Sequence, residues 1–119
     1  MKLLIVDDSL IMRRAIERTL AGSRFTEVRV ASNGRTAVQE YKDFLPDVVT
    51  MDITMPEMDG LTAIELILRH TPGAMILVVS ALADKATAVE AVKRGASGFL
   101  LKPVTAQSLE EALDDLLTD

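Results

Sequence analysis

Cysteine is missing from this 119-residue chain, which excludes a disulfide framework and any thiolate chemistry and fits a reducing cytosol. Long apolar runs are missing too: no stretch approaches the roughly 18 residues a membrane span needs. The N-terminal run Lys2-Leu3-Leu4-Ile5-Val6 is too short for a signal peptide, and Asp7 and Asp8 interrupt it at once. Nor is there an excess of positive charge. Thirteen Lys and Arg face eighteen Asp and Glu, for a net charge of −5 and a pI near 4.8. That balance is a poor basis for holding nucleic acid through its phosphates. Residues 1–45 carry eight bases and six acids, and residues 46–119 carry five and twelve, so the acidity lies in the second part.

What is there reads as one globular domain over residues 1–119, with 49% hydrophobic and 26% charged residues. Short β-rich runs alternate with segments of helical period. Lys2–Val6 is a nearly continuous apolar run, as expected of a strand covered on both faces. A helix after Ser9 carries Met12, Ala15, Ile16, Thr19 and Leu20 along one side, and Gly22 ends it. A second strand spans Phe25 to Val30, followed by a helix burying Ala37, Val38, Tyr41 and Phe44 before Pro46. The third strand runs from Asp47 to Met51 and ends in Asp52. The next helix turns Leu61, Ile64, Ile67 and Leu68 inward, and a fourth strand from Ala74 to Val79 ends in Ser80. A helix near Asp84–Arg94 places Ala88, Val89 and Val92 inward before Gly95. Gly98–Leu101 is a short fifth strand before Lys102-Pro103, and the last helix carries Leu109, Ala112, Leu113, Leu116 and Leu117. About five β-α units with short connections predict an open parallel sheet with helices on both faces.

In such sheets ligands bind beyond the carboxyl ends of the strands, where the strand order reverses. Asp7, Asp8, Asp52, Ser80 and Lys102 all follow a predicted strand directly, so they should converge on one edge. Three carboxylates brought together repel; at about 4 Å and an effective dielectric of 20 each pair costs roughly 4 kcal/mol. One lysine cannot neutralise three acids. An all-oxygen site with few carboxylates suits Mg2+, which keeps several waters and shares phosphate oxygens. Asp52, ending the central strand, is the best nucleophile, since a carboxylate can attack a phosphoryl group and form an aspartyl phosphate. Lys102 and the ion would meet the equatorial oxygens, the Ser80 hydroxyl would donate to one of them, and small Ala81 would leave the site open. Taken singly, each residue has a plainer use. Asp8-Ser9 caps helices, an Asp before a Pro-Gly loop makes turns, and most lysines are surface residues. Their joint placement after four of five strands is what favours a site.

Val6-Asp7-Asp8-Ser9, the stretch from Met51 through Asp52-Ile53-Thr54-Met55-Pro56 to Gly60, Val79-Ser80-Ala81 and Lys102-Pro103 resemble, in order and spacing, the receiver domains of two-component response regulators. The resemblance spans the whole chain. It implies a flavodoxin-like doubly wound sheet of order 2-1-3-4-5. It also implies that Asp52 is the phosphoacceptor, that Asp8 and Asp52 are side-chain Mg2+ ligands with Thr54 a backbone-carbonyl ligand, and that Asp7 acts mostly through water. Lys102 and Ser80 match the pair that grips the phosphoryl oxygens. Phe99 matches the aromatic switch that turns inward as Ser80 moves; many members have tyrosine there, whose hydroxyl this chain lacks. Thr54 and Leu82 occupy positions that tune phosphoryl lifetime in the family. Such a protein is a switch and not a turnover enzyme.

Asp7-Asp8-Ser9-Leu10-Ile11-Met12-Arg13-Arg14 resembles the chemotaxis subgroup, and the chain ends after its last amphipathic helix; both favour a single-domain regulator over a receiver cut from a longer one, and the protein is expected to be cytoplasmic and monomeric. The sole histidine, His70, reads as a surface residue near a helix end, so the phosphodonor comes from another protein, a histidine kinase or phosphotransfer domain docking near Arg13 and Arg14. The resemblance puts the effector face on the fourth helix, fifth strand and fifth helix. Other classes fit less well. An aspartate phosphatase needs a second acid where Thr54 stands. A flavin or nucleotide carrier needs a first loop rich in Gly, Ser and Thr amides, not Asp7-Asp8-Ser9-Leu10. A module that binds without phosphorylation would be marked by a missing acceptor or lysine.

Overall fold

Every odd residue of the first strand faces one helical layer and every even residue the other, and that alternation organises the molecule. The computed structural model describes residues 1–118 apart from 21, 23, 54, 56 and 57. Strands β1 (Lys2–Val6), β2 (Glu27–Ala31), β3 (Val48–Asp52), β4 (Ile76–Ser80) and β5 (Gly98–Leu101) alternate with helices α1 (Leu10–Leu20), α2 (Gly34–Phe44), α3 (Gly60–His70), α4 (Lys85–Lys93) and α5 (Ala106–Leu117). All pairings are parallel, in the order β2-β1-β3-β4-β5. This is the flavodoxin-like doubly wound sheet that the resemblance implies.

Leu3, Ile5, Val48 and Leu77 pack with Ile16 and Leu20 of α1, Phe25, and Leu109 and Leu113 of α5. Leu4, Val6, Val49, Met51 and Val78 pack with α2, α3 and α4, through Val38 and Tyr41, Ile64 and Ile67, and Ala88 and Ala91. Strands β3 and β4 are buried along their whole length, which explains why their sequences read as unbroken apolar runs. Apart from the polar residues that end them, Asp52 and Ser80, one position breaks that pattern. Thr50, paired with Ile5 and Leu77, buries a hydroxyl that has no hydrogen-bond partner among the described residues.

Some expectations shift. β2 begins at Glu27; Phe25, ahead of it, fills the α1–α5 side of the core, where it is 1% exposed, and its carbonyl accepts from the Gly22 amide at 3.0 Å. β4 spans Ile76–Ser80 in place of Ala74–Val79. In α1, Ile16 and Leu20 are buried but Ala15 is exposed. In α4 the residues turned fully inward are Ala88 and Ala91, with Val89 and Val92 half-buried. Two alanines at i, i+3 let that helix lie close to the sheet. Gly22 and Gly95 take positive φ of 85° and 121° where the first and fourth helices end. Among the described residues, no helix is long and apolar enough to cross a membrane.

Candidate functional site

The strand order reverses between β1 and β3, so the crevice beyond their carboxyl ends lies between Asp7 and Asp52. Asp7 continues the ladder through its amide, which donates to Ala31 O at 3.1 Å. Its side chain is 1% exposed, and both carboxylate oxygens are engaged. Oδ1 accepts from the Ser9 amide at 2.9 Å, and Oδ2 accepts from Lys102 Nζ at 3.3 Å. Asp8 stands exposed beside it. Asp52, the last residue of β3, is 6% exposed, with Oδ1 3.8 Å from Lys102 Nζ. One carboxylate oxygen from each of Asp7, Asp8 and Asp52 lies within 4.8 Å of the others. The predicted acids therefore converge.

Concentrating three acids around one ammonium has a cost that falls on the central one. Burial, then the charge of Asp7, push the Asp52 carboxyl up to about 6 from its ordinary 3.8; Lys102 opposes the rise, and Asp8 adds to it. An oxygen-rich cluster of this kind, short of positive charge, fits a hard divalent cation, which takes carboxylate and carbonyl oxygens and completes its shell with water. Asp7, Asp8 and Asp52 are the side chains able to hold it.

The backbone of Lys102 is held by its amide, which donates to Ser80 O at 2.7 Å. This contact also puts Ser80 and Lys102 side by side. Ser80 is 1% exposed, and its hydroxyl donates only a long bond, 3.2 Å, to Ala81 O. Phe99 stands on the outer strand β5, 37% exposed, so it is not an ordinary core aromatic. Thr54 lies outside the described residues. His70 is exposed at the end of α3, its ring edge-on to Tyr41 and its Nδ1 3.0 Å from Thr71 Oγ1.

Three features were not legible as parts of the site. Ser9, not Asp8, caps α1: its hydroxyl accepts from the Met12 amide at 3.2 Å. Arg13, expected with Arg14 beside a docking partner, is half-buried and donates to the Asp7 carbonyl at 2.7 Å, whereas Arg14 is exposed. Gly34 and Gly60 pin the loop between β3 and α3. Their amides donate to Met58 O at 3.0 Å and Ile53 O at 2.7 Å, and a Cβ on Gly60 would sit 2.2 Å from Asp52 O. A glycine after Asp59, itself the N-cap of α3, was the available signal.

Fold and site together define a doubly wound α/β protein with three carboxylates and one lysine at its switch point. The chain belongs to the response regulator receiver domain family, whose model matches residues 3–114. It is 45% identical over 114 residues to the chemotaxis protein CheY of Listeria monocytogenes, covering 96% of each chain. It is 45% identical over 121 residues to a protein-glutamate methylesterase/protein-glutamine glutaminase of Carboxydothermus hydrogenoformans, covering 98% of this chain but 34% of that one. Among solved structures, a chain of the CheX–CheY–BeF3–Mg2+ complex from Borrelia burgdorferi superposes with a TM-score of 0.93 at 29% identity, over 99% of this chain and 90% of that one.

Proposed function

We propose that the chain is a cytoplasmic, monomeric chemotaxis switch that accepts a phosphoryl group on Asp52 from a phosphohistidine of a partner kinase or phosphotransfer domain. The observation that carries this reading is the meeting of Asp7, Asp8 and Asp52 within 4.8 Å, with Lys102 as the lysine between them. In the reaction a carboxylate oxygen of Asp52 forms a bond to phosphorus. The phosphorus–nitrogen bond of the donor breaks, and its electron pair stays on the imidazole, which takes up a proton. Asp52 must be ionised to attack. Although its pKa is raised to about 6, most of it is a carboxylate at neutral pH.

Asp8 and Asp52, with Asp7 through water and the Thr54 carbonyl, would hold Mg2+. When bound, the ion supplies compact positive charge against the phosphoryl oxygens. Lys102 lies 3.3 Å from Asp7 and 3.8 Å from Asp52, close enough to turn from the acids to an incoming phosphoryl oxygen. The weakly bonded Ser80 hydroxyl can leave Ala81 O to donate to another. Movement of Ser80, which pairs with Leu101 of β5, would let Phe99 turn from solvent toward the sheet, altering the α4-β5-α5 face that an effector reads. Chemotaxis is supported by the single-domain CheY relatives, matched over nearly their full length. Transfer from another protein fits a chain whose one histidine sits at the end of α3, away from the carboxyl ends of the strands. Intact-mass spectrometry after incubation with acetyl phosphate tests the chemistry. The expected result is one added phosphoryl mass that requires Mg2+ and is absent in Asp52→Asn. An Mg2+-independent adduct, or one retained in the variant, would refute it.

A further inference from the structure

We propose that Arg13 is a positioning residue that presets the Asp7–Asp8 peptide for the metal. The inference rests on the Mg2+-dependent reading above and adds to it a residue outside the acid, hydroxyl and lysine set.

An arginine in the first turns of an exposed helix ordinarily extends into water. Arg13 instead folds back over six residues to donate from Nη1 to the Asp7 carbonyl at 2.7 Å, and it is half-buried there. The carbonyl it grips belongs to the peptide that joins the two acids. Asp7 is already fixed by three other bonds: its amide to Ala31, Oδ1 to the Ser9 amide, and Oδ2 to Lys102. Asp8 is exposed, and its placement depends on the orientation of that same peptide. The Arg13 amide also donates to Ser9 O at 3.0 Å. Backbone and side chain of Arg13 thus close a loop from Asp7 to the first turn of α1, with Asp8 held inside it. A guanidinium keeps its charge at every accessible pH and presents its donors in a rigid fork, which suits it to hold a carbonyl in one direction.

The sign of the effect separates positioning from simple electrostatics. Removing a positive charge from beside three carboxylates should, by Coulomb attraction alone, tighten binding of a cation. Loss of an outer group that orients a ligand loosens it, commonly by about tenfold or more. The test is calorimetric titration of Mg2+ into the full chain, Arg13→Ala and Arg14→Ala, with amide hydrogen exchange at Asp8 and Ser9 in the metal-free proteins. The expected result is about a tenfold weaker Mg2+ affinity and faster exchange at both amides in Arg13→Ala, with Arg14→Ala unchanged in both. Affinity in Arg13→Ala equal to or tighter than that of the unaltered chain would overturn the proposal, as would equal weakening in Arg14→Ala. Were the unaltered chain itself to bind no Mg2+, the metal pocket would fall, and this inference with it. Unchanged exchange at Asp8 and Ser9 would overturn the positioning role independently of the ion.

Discussion

Asp52 carries a cost that its neighbours impose, and the sign of that cost can be worked out. Its carboxyl titrates near 6 in the folded chain, against an ordinary 3.8, so the folded state holds the proton more tightly than the unfolded one. Stability from this group is therefore lost as pH rises from about 4 to about 6, by at most about 3 kcal/mol, and stays lost above that window. In metal-free urea denaturation, Asp52→Asn is expected to be more stable than the unaltered chain at pH 8, by up to that amount, and nearly equal to it at pH 4. Equal stability of the two at pH 8 would show that the acids do not burden the fold. Mg2+ should narrow the difference at pH 8 by stabilising only the chain with the carboxylate.

At this scale much of the site could be read from order and residue type alone. Asp7, Asp8, Asp52, Ser80 and Lys102 follow strands, and the topology brings them to one edge. What could not be read were contacts fixed by angle and reach. The fold-back of Arg13 onto a carbonyl leaves no periodic trace, and the bare hydroxyl of Thr50 looks in sequence like any β-branched strand residue. The outward stance of Phe99 is likewise a matter of its edge strand, not of its apolar character.

Among the elements, the connection between β3 and α3 sets where the acceptor points. Gly60 presses its backbone on that of Asp52 and Ile53, and a methyl group 2.2 Å from Asp52 O has no flexible side chain to displace. Gly60→Ala is therefore expected to shift the strand end itself, destabilising the protein by about 1–3 kcal/mol and slowing phosphorylation by acetyl phosphate. Thermal denaturation and the rate of mass gain would measure both. Wild-type stability with wild-type rate would show that the loop tolerates displacement. The sequence located this loop without showing that it is pinned from two sides, because the bond to Met58 O comes from Gly34, at the start of another helix and 24 residues earlier. Helix faces were legible where large side chains decide them, as in α2, with its buried Ala37, Val38, Tyr41 and Phe44. In α4 the small Ala88 and Ala91 face inward, and volume, not hydrophobicity, chose the face.

For the molecule as a whole, the sheet order does what no local motif can. It places the ends of β1, β3, β4 and β5 side by side, so residues 7, 52, 80 and 102 become neighbours only when the chain is folded. The alternation of apolar strands and amphipathic helices made that architecture legible in advance. The strand boundaries were less so, since Phe25 satisfies a strand pattern equally well while filling the core. If the chemistry belongs to the assembled edge, the modification must fall on one carboxylate among the chain's eighteen and only in the native state. An acyl phosphate is reduced by borohydride to the alcohol, which turns the phosphorylated aspartate into homoserine. The deciding measurement is peptide mass mapping after acetyl phosphate, Mg2+ and borohydride, on native protein and on protein held unfolded in urea. Homoserine at position 52 in the native sample alone is the predicted result; homoserine at Asp7, Asp8 or Asp59, or an equal yield from the unfolded chain, would contradict it.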